Sequence, residues 1–271
     1  MCNGPTTVTK GAQDVIVHGG NVHVVLTFDD GVKWLARIKQ SLDTSPPLHV
    51  QKIDKLSEVA TFRVLHEAGI LVPQVWNPPH HDSQSDLSAG IAVIKLISGG
   101  DLNYFFVEFA TGQAYKGFHG WQSITRAPTD HELVIIESYA KFQMSLEKLT
   151  FHSIGSPTFD ANGKVIIGPV VSDIAPLAEP PFYLGPFASL RDRYIAYFDT
   201  VMTAILEDRW CAPDRSLPTY QAMLEAKRLV EGCKELAEEG GPFYMKHGEA
   251  KCDHFLLNDD GEITATLDWE W

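Results

Sequence analysis

A chain of 271 residues, 44% hydrophobic and 21% charged, falls in the range of ordinary globular proteins and can enclose one large or two modest cores. Its net charge of -13 repels phosphate backbones and no cluster of Lys and Arg offsets it, which argues against nucleic acid and for a neutral or cationic small molecule. Cys2, Cys211, Cys233 and Cys252 form no C-x-x-C pair, and there is neither a signal-peptide core nor an apolar run of roughly 20 residues, so a cytoplasmic protein without a membrane partner is expected.

From Asn21 the sequence alternates, with Val22, Val24, Leu26 and Phe28 on one face, before an Asp29-Asp30-Gly31 turn and a second alternating run from Val32 to Ile38. This predicts a β-hairpin. The preceding His18-Gly19-Gly20-Asn21 turn can adopt backbone angles closed to bulkier residues, which suits either a plain turn or close approach to phosphates. On the second strand Trp34, Ala36 and Ile38 share one face, while Leu35 and Arg37 share the other. Ser57 to Ala68 reads as a helix with Glu58, Phe62 and Leu65 on one stripe, so a carboxylate sits among apolar residues and calls for a cation; Arg37 is the natural partner.

Residues 69–90 are rich in Pro, Gly, His, Ser and Asp and read as an irregular connection. Ile91 to Ile97 reads as a short strand interrupted by Lys95, and Ser98-Gly99-Gly100 breaks it, which places a boundary between lobes 1–100 and 101–271. After a loop over 109–128, Thr129-x-x-Glu132 is a capping box opening a helix to about Leu149. A second hairpin is predicted over Pro157 to Ile167, turning at Asn162-Gly163, and a Pro-rich loop over 169–186. Two more helices are predicted over 189–209 and 218–238, the latter stopped by Gly240-Gly241-Pro242.

The last thirty residues place Glu249, Asp253 and His254 in a polar loop, followed by a hairpin that turns at Asn258-Asp259-Asp260-Gly261 and ends at Asp268. Because the loop and the last strand flank one hairpin, these groups can meet, and their mutual repulsion predicts a divalent cation. His247, Glu249 and His254 also admit a two-histidine, one-carboxylate iron site.

His247-Gly248-Glu249 with His254 five positions after the Glu, and then Leu267-Asp268-Trp269, resembles the H-G-D-x-x-x-x-N and I-D-W motifs of aminoglycoside phosphotransferases. The LTFDDGVKWLARI, SEVATFRVL and IGSPTFDANGKVIIGP segments resemble, in order, further parts of that family. The resemblance implies an α+β, bilobal protein-kinase-like fold with a small antiparallel lobe and a larger, mainly helical lobe. It also implies an ATP-dependent, Mg2+-dependent transfer to a small-molecule hydroxyl.

Residue by residue, the resemblance gives Arg37 the phosphate-contacting position, with Glu58 holding it, and Gly19 and Gly20 the turn over the nucleotide. Lys95, Leu96 and Ile97 take the hinge that meets adenine, and Glu249 takes the place of the catalytic Asp, beside His247. His254 and Asp268 fall at the metal positions. Glu249 and His254 depart from the Asp and Asn of the motif, and the chain stops three residues after Asp268 where the family continues into acceptor-binding helices. A truncated second lobe is therefore expected, with a pseudokinase as the alternative to an active enzyme; acceptor identity and oligomeric state are not encoded in these motifs.

Overall fold

The computed structural model describes residues 8–10, 15–18, 21–28, 30–39, 47–76, 104–114, 127–171, 182–247 and 254–269. Gly19, Gly20, the strand expected over Ile91 to Ile97 with Lys95 and Leu96, and the loop residues Glu249 and Asp253 lie outside the described residues. The chain divides into two compact units, the first made of Met1–Ser45, Glu58–Gln143 and Gly248–Glu270, the second of Pro46–Ser57 and Met144–His247 together with Trp271.

The first unit is built on an antiparallel sheet of β1 (Val8–Lys10), β2 (Val15–His18), β3 (Asn21–Phe28), β4 (Lys33–Lys39), β5 (Val75–Trp76) and β6 (Tyr104–Glu108). Strand order is β1-β3-β4-β6-β5, with β2 also pairing β3. The expected hairpin is β3 and β4, paired from Asn21↔Lys39 to Thr27↔Lys33. Its alternation does what alternation should: Val22, Val24, Leu26, Phe28, Ala36 and Ile38 are buried in one cluster with Tyr104 and Phe106. Trp34 packs against that cluster and stacks on Trp76, ring centroids 4.3 Å apart. The opposite face of β4 carries Arg37.

Several elements differ from the sequence expectation. Helix α1 runs Leu48–Glu67, so it begins nine residues before Ser57. The reason lies at its start, where the Pro47 carbonyl accepts from the amides of Val50 and Gln51 at 2.8 and 3.1 Å, and a proline, lacking an N–H, loses nothing at a helix entrance. Strands β5 and β6, and β7 (Gln113–Ala114), lie in stretches read as loop or left unassigned. Tyr104–Glu108 is a run of four buried residues without alternation, because both of its faces are covered.

Helix α2 (Asp130–Leu146) opens on the expected capping box. The Thr129 amide donates to Glu132 Oε2 at 2.7 Å, and the Glu132 amide donates back to Thr129 Oγ1 at 3.3 Å. Within the first unit its Phe142 packs edge-on against Phe255, centroids 5.2 Å apart. The unit closes with β12 (Phe255–Leu257) and β13 (Ile263–Thr266), the expected terminal hairpin, with β7 on the far edge of β12.

The second unit carries β8 (Thr150–Phe151), paired with β11 (Phe243–Tyr244), and the hairpin β9 (Ser156–Phe159) and β10 (Val165–Gly168). That hairpin turns as expected, with Asp160 Oδ1 accepting the Asn162 and Lys164 amides at 2.8 and 2.9 Å, and with Gly163 at φ 76, where a side chain would be strained. Helix α3 (Leu190–Leu206) is capped by Ser189, whose hydroxyl accepts the Asp192 amide at 3.1 Å. Helix α4 (Pro213–Gly232) starts five residues before and ends six residues before the expected 218–238. Pro213 occupies the first turn, where a missing N–H costs no helical hydrogen bond, and Pro218 lies inside the helix. Among the described residues no helix is long and apolar enough to cross a membrane.

Candidate functional site

Three charged groups of the first unit converge. Arg37 projects from β4, paired across the sheet with His23 and Phe105, and is 8% exposed. Its Nε lies 3.2 Å from Glu58 Oε1 on α1, a carboxylate that is 7% exposed. Glu58 is held there by its helix, whose neighbours Val59, Ala60, Phe62 and Leu65 are buried in the same unit. On its other side the guanidinium reaches Asp268: Nη1 donates to Oδ1 at 2.9 Å. One Arg thus bridges two carboxylates.

The two carboxylates differ in environment. Glu58 is enclosed, whereas the Asp268 side chain keeps 50% of its surface accessible. A charge that is half in water exchanges partners readily, since an exposed ion pair contributes only about 0–1 kcal/mol. The enclosed pair is fixed by the cost of separating buried charges. The triad sets one guanidinium against two carboxylates, so acidic groups are in excess among these three. It therefore attracts a cation at its open end, which is Asp268.

The backbone presents that carboxylate deliberately. Asp268 sits at φ 56, in the left-handed region that non-glycine residues enter at a cost of about 1–2 kcal/mol. The residues around it are tied down. The Leu267 amide donates to the His254 carbonyl at 2.8 Å, and the Thr266 amide donates to the Leu71 carbonyl at 2.8 Å. Thr266 is fully buried, and its hydroxyl donates to the same Leu71 carbonyl at 3.1 Å while accepting the Trp269 indole N–H at 3.0 Å. Trp269 is buried and its ring packs near Phe142. The left-handed backbone at Asp268 is thus held in place by the buried and hydrogen-bonded residues around it.

Of the residues singled out from the sequence, Arg37, Glu58 and Asp268 meet directly, and His254 joins them through its backbone contact to Leu267. The His254 side chain is buried, its ring 4.4 Å from that of Phe255. His247 belongs to the second unit, where it is buried. Among the described residues no group of three or more His, Cys, Asp or Glu side chains forms a metal-holding cluster. The supports Thr266 and Leu71 escaped the sequence reading, which had no signal for them beyond their nearness to the Asp268 motif and to the end of α1.

No protein-family model matches the sequence, and no curated protein matches it. Solved structures do. The chain is similar in structure to small-molecule kinases. A type I macrolide 2'-phosphotransferase shares 15% identity at a TM-score of 0.42, over 94% of this chain and 64% of that one. An ethanolamine kinase of Plasmodium vivax shares 12% at 0.44, over 95% and 55%. A macrolide 2'-phosphotransferase of Brachybacterium faecium shares 16% at 0.42, over 95% and 65%. The chain thus spans less than two thirds of the length of each.

Proposed function

We propose that this chain binds a nucleoside triphosphate, ATP, with a divalent cation, Mg2+, and transfers the terminal phosphoryl group to a hydroxyl of a small molecule. The observation that supports this most is the bridging of Glu58 and Asp268 by Arg37. A buried carboxylate that fixes a guanidinium, next to a half-exposed carboxylate on a strained, tied backbone, supplies both charges that phosphoryl transfer needs. The cation of Arg37 offsets phosphate charge, and the anion of Asp268 holds a metal.

The residues fit that cargo in chemical type. The Asp268 carboxylate is a hard oxygen donor with an open side, which suits magnesium. His254 offers an imidazole, a poorer match to a hard cation, and its place in the motif assigns it a supporting part beside Asp268. Magnesium bound with the nucleotide would neutralise charge building on the phosphates. Arg37 would orient the phosphates by its fixed fork of donors, and Glu58 would keep that fork from turning away. Glu249 would accept or orient the acceptor hydroxyl, next to His247. Gly19 and Gly20 would cover the phosphates and the backbone of Lys95, Leu96 and Ile97 would meet adenine, completing the binding site.

The substitution of Glu249 and His254 for the Asp and Asn of the motif supports a second reading, a nucleotide-binding module without turnover. An extra methylene moves the carboxylate by roughly 1 Å, a displacement that can cost about 100-fold in rate. The two readings separate in one assay. Transfer of labelled γ-phosphate from ATP to an aminoglycoside, an amino alcohol or a sugar, lost in Glu249→Ala, supports the enzyme. Magnesium-dependent ATP binding with no transfer to any acceptor, even after Glu249→Asp with His254→Asn, supports the module.

A further inference from the structure

Strand β3 sets a histidine directly opposite Arg37. In the register of β3 and β4, His23 is the Cα partner of Arg37, and Asn21 is that of Lys39. Residues paired in this way share a face of the sheet, so His23, Arg37 and Lys39 are neighbours on the face that meets Glu58. The other face of the same strands is apolar, with Val22, Val24, Ala36 and Ile38 buried. Basic groups are thus gathered on one side of the sheet in a chain of net charge -13. Arg37 is buried, whereas His23 is partly exposed. Around His23, β2 sets Ile16 opposite it and His18 opposite Asn21, and β6 sets Phe105 on the far side of Arg37.

The guanidinium of Arg37 is already opposed by Glu58 and Asp268, so it brings little uncommitted charge to an oligophosphate. A further cation on the same face has to supply it. Lys39 carries its charge at every ordinary pH, and an imidazole carries one only when protonated. A protonated imidazole directly opposite a guanidinium is opposed by like charge, and an oxyanion beside both groups removes that opposition. Anion and proton therefore favour each other, and thermodynamic linkage makes the effect reciprocal. We infer that His23 is a further binding residue for the phosphates of the ligand, that it meets them as the imidazolium, and that binding takes up a proton there. The inference rests on reading Arg37 as the phosphate residue, and deepens that reading by adding a group whose charge depends on pH.

The test uses the whole chain and no turnover. ATP is titrated calorimetrically, in saturating magnesium, into the wild type, His23→Gln and His23→Lys. Because the ligand's own titration is common to all, the difference between proteins isolates position 23. From about pH 8 to about pH 6, wild-type affinity should rise about tenfold more than that of His23→Gln. Repeating the titration at about pH 7 in two buffers of unlike ionisation enthalpy should show about half a proton more taken up by the wild type than by His23→Gln. His23→Lys keeps a cation at both ends of the range, so at about pH 8 it should bind ATP about tenfold more tightly than the wild type. A histidine that only packs the sheet would give no such gain.

Equal pH dependence and equal proton uptake in the wild type and His23→Gln overturn the inference. So does a pH dependence that His23→Gln keeps and His18→Gln loses, since the proton then belongs to the neighbouring histidine. If ATP still binds with magnesium in either event, the proposed function survives the loss of His23 from the site. If the wild type binds no ATP with magnesium at either pH, both fall together.

Discussion

Arg37 and Asp268 stand 231 positions apart in sequence and are joined by a hydrogen bond of 2.9 Å, from Nη1 to Oδ1, which ties the central hairpin of the amino-terminal sheet to the end of the carboxy-terminal one. Glu58 fixes the other side of the same guanidinium. The two residues that the proposed function assigns to the metal and to the phosphate are therefore in direct contact with each other.

Replacing Glu58 by Gln keeps the size of the side chain and removes the charge that anchors Arg37. Because the pair is buried, stability in urea should fall by about 2 kcal/mol. Affinity for ATP with magnesium should fall about tenfold, since the guanidinium can then follow Asp268 alone. Calorimetric titration of the variant beside the wild type reads the second effect, and unchanged affinity would remove Glu58 from the site.

Trp269 supports Asp268 from below through its buried ring and its indole bond to Thr266. Trp269→Ala should cost about 3–5 kcal/mol of stability by opening a cavity near Phe142. Trp269→Phe should cost less and keep the fold, while loosening the turn at Asp268. In that variant the magnesium-dependent part of ATP binding should weaken at unchanged secondary structure, which circular dichroism and calorimetry together would show.

The capping box of α2 offers a test of local structure away from the charged triad. Thr129→Ala removes the hydroxyl that accepts the Glu132 amide, so denaturation should report a loss of about 0.5–2 kcal/mol. Binding of ATP should be untouched, since Thr129 and Glu132 belong to the solvent-facing start of the helix.

How much of this was legible in the sequence depends on the range of the signal. Alternation over Asn21–Phe28, the Thr129-x-x-Glu132 cap and the Asn162-Gly163 turn are local, and each appears where it was expected. The α+β class with an antiparallel amino-terminal sheet was what the family resemblance implied, and the structure has that sheet. Tyr104–Glu108 escaped because a strand buried on both faces has no alternation to read. The start of α1 escaped because its first turns mix exposed Leu48 and Ile53 with buried Gln51 and Lys55, which blurs the apolar stripe. The pairing of Arg37 with Glu58 was legible from the two faces of β4 and the helix stripe. The reach of Arg37 to Asp268 was not, because no local pattern connects the two ends of a chain.

Stability should also report a buried lysine in the second unit. Burial, with Lys52 nearby, lowers the pKa of Lys55 from 10.5 to about 8. The folded state then binds fewer protons than the unfolded one between those values, so stability rises with pH across that window and the full penalty is present below about 8. Tyr183 acts in the opposite sense at higher pH. Burial and the Asp54 carboxylate raise its pKa above 10, so the stability it contributes is lost as pH climbs past the ordinary tyrosine value. Urea denaturation between about pH 7.5 and 9.5 should therefore show a gain of about 1 kcal/mol, which Lys55→Met abolishes. A flat or falling profile in the wild type would contradict the burial of that charge.

The central claim is that Arg37 and Asp268 hold a nucleotide and its metal, and calorimetric titration with ATP tests it most directly. ATP should be titrated with and without magnesium into the wild type, Asp268→Ala and Glu249→Ala. Binding in the wild type should be saturable and strengthened at least tenfold by magnesium, and that magnesium-dependent gain should be lost in Asp268→Ala and kept in Glu249→Ala. Binding that is equal with and without magnesium, or a magnesium effect that persists undiminished in Asp268→Ala, would contradict it.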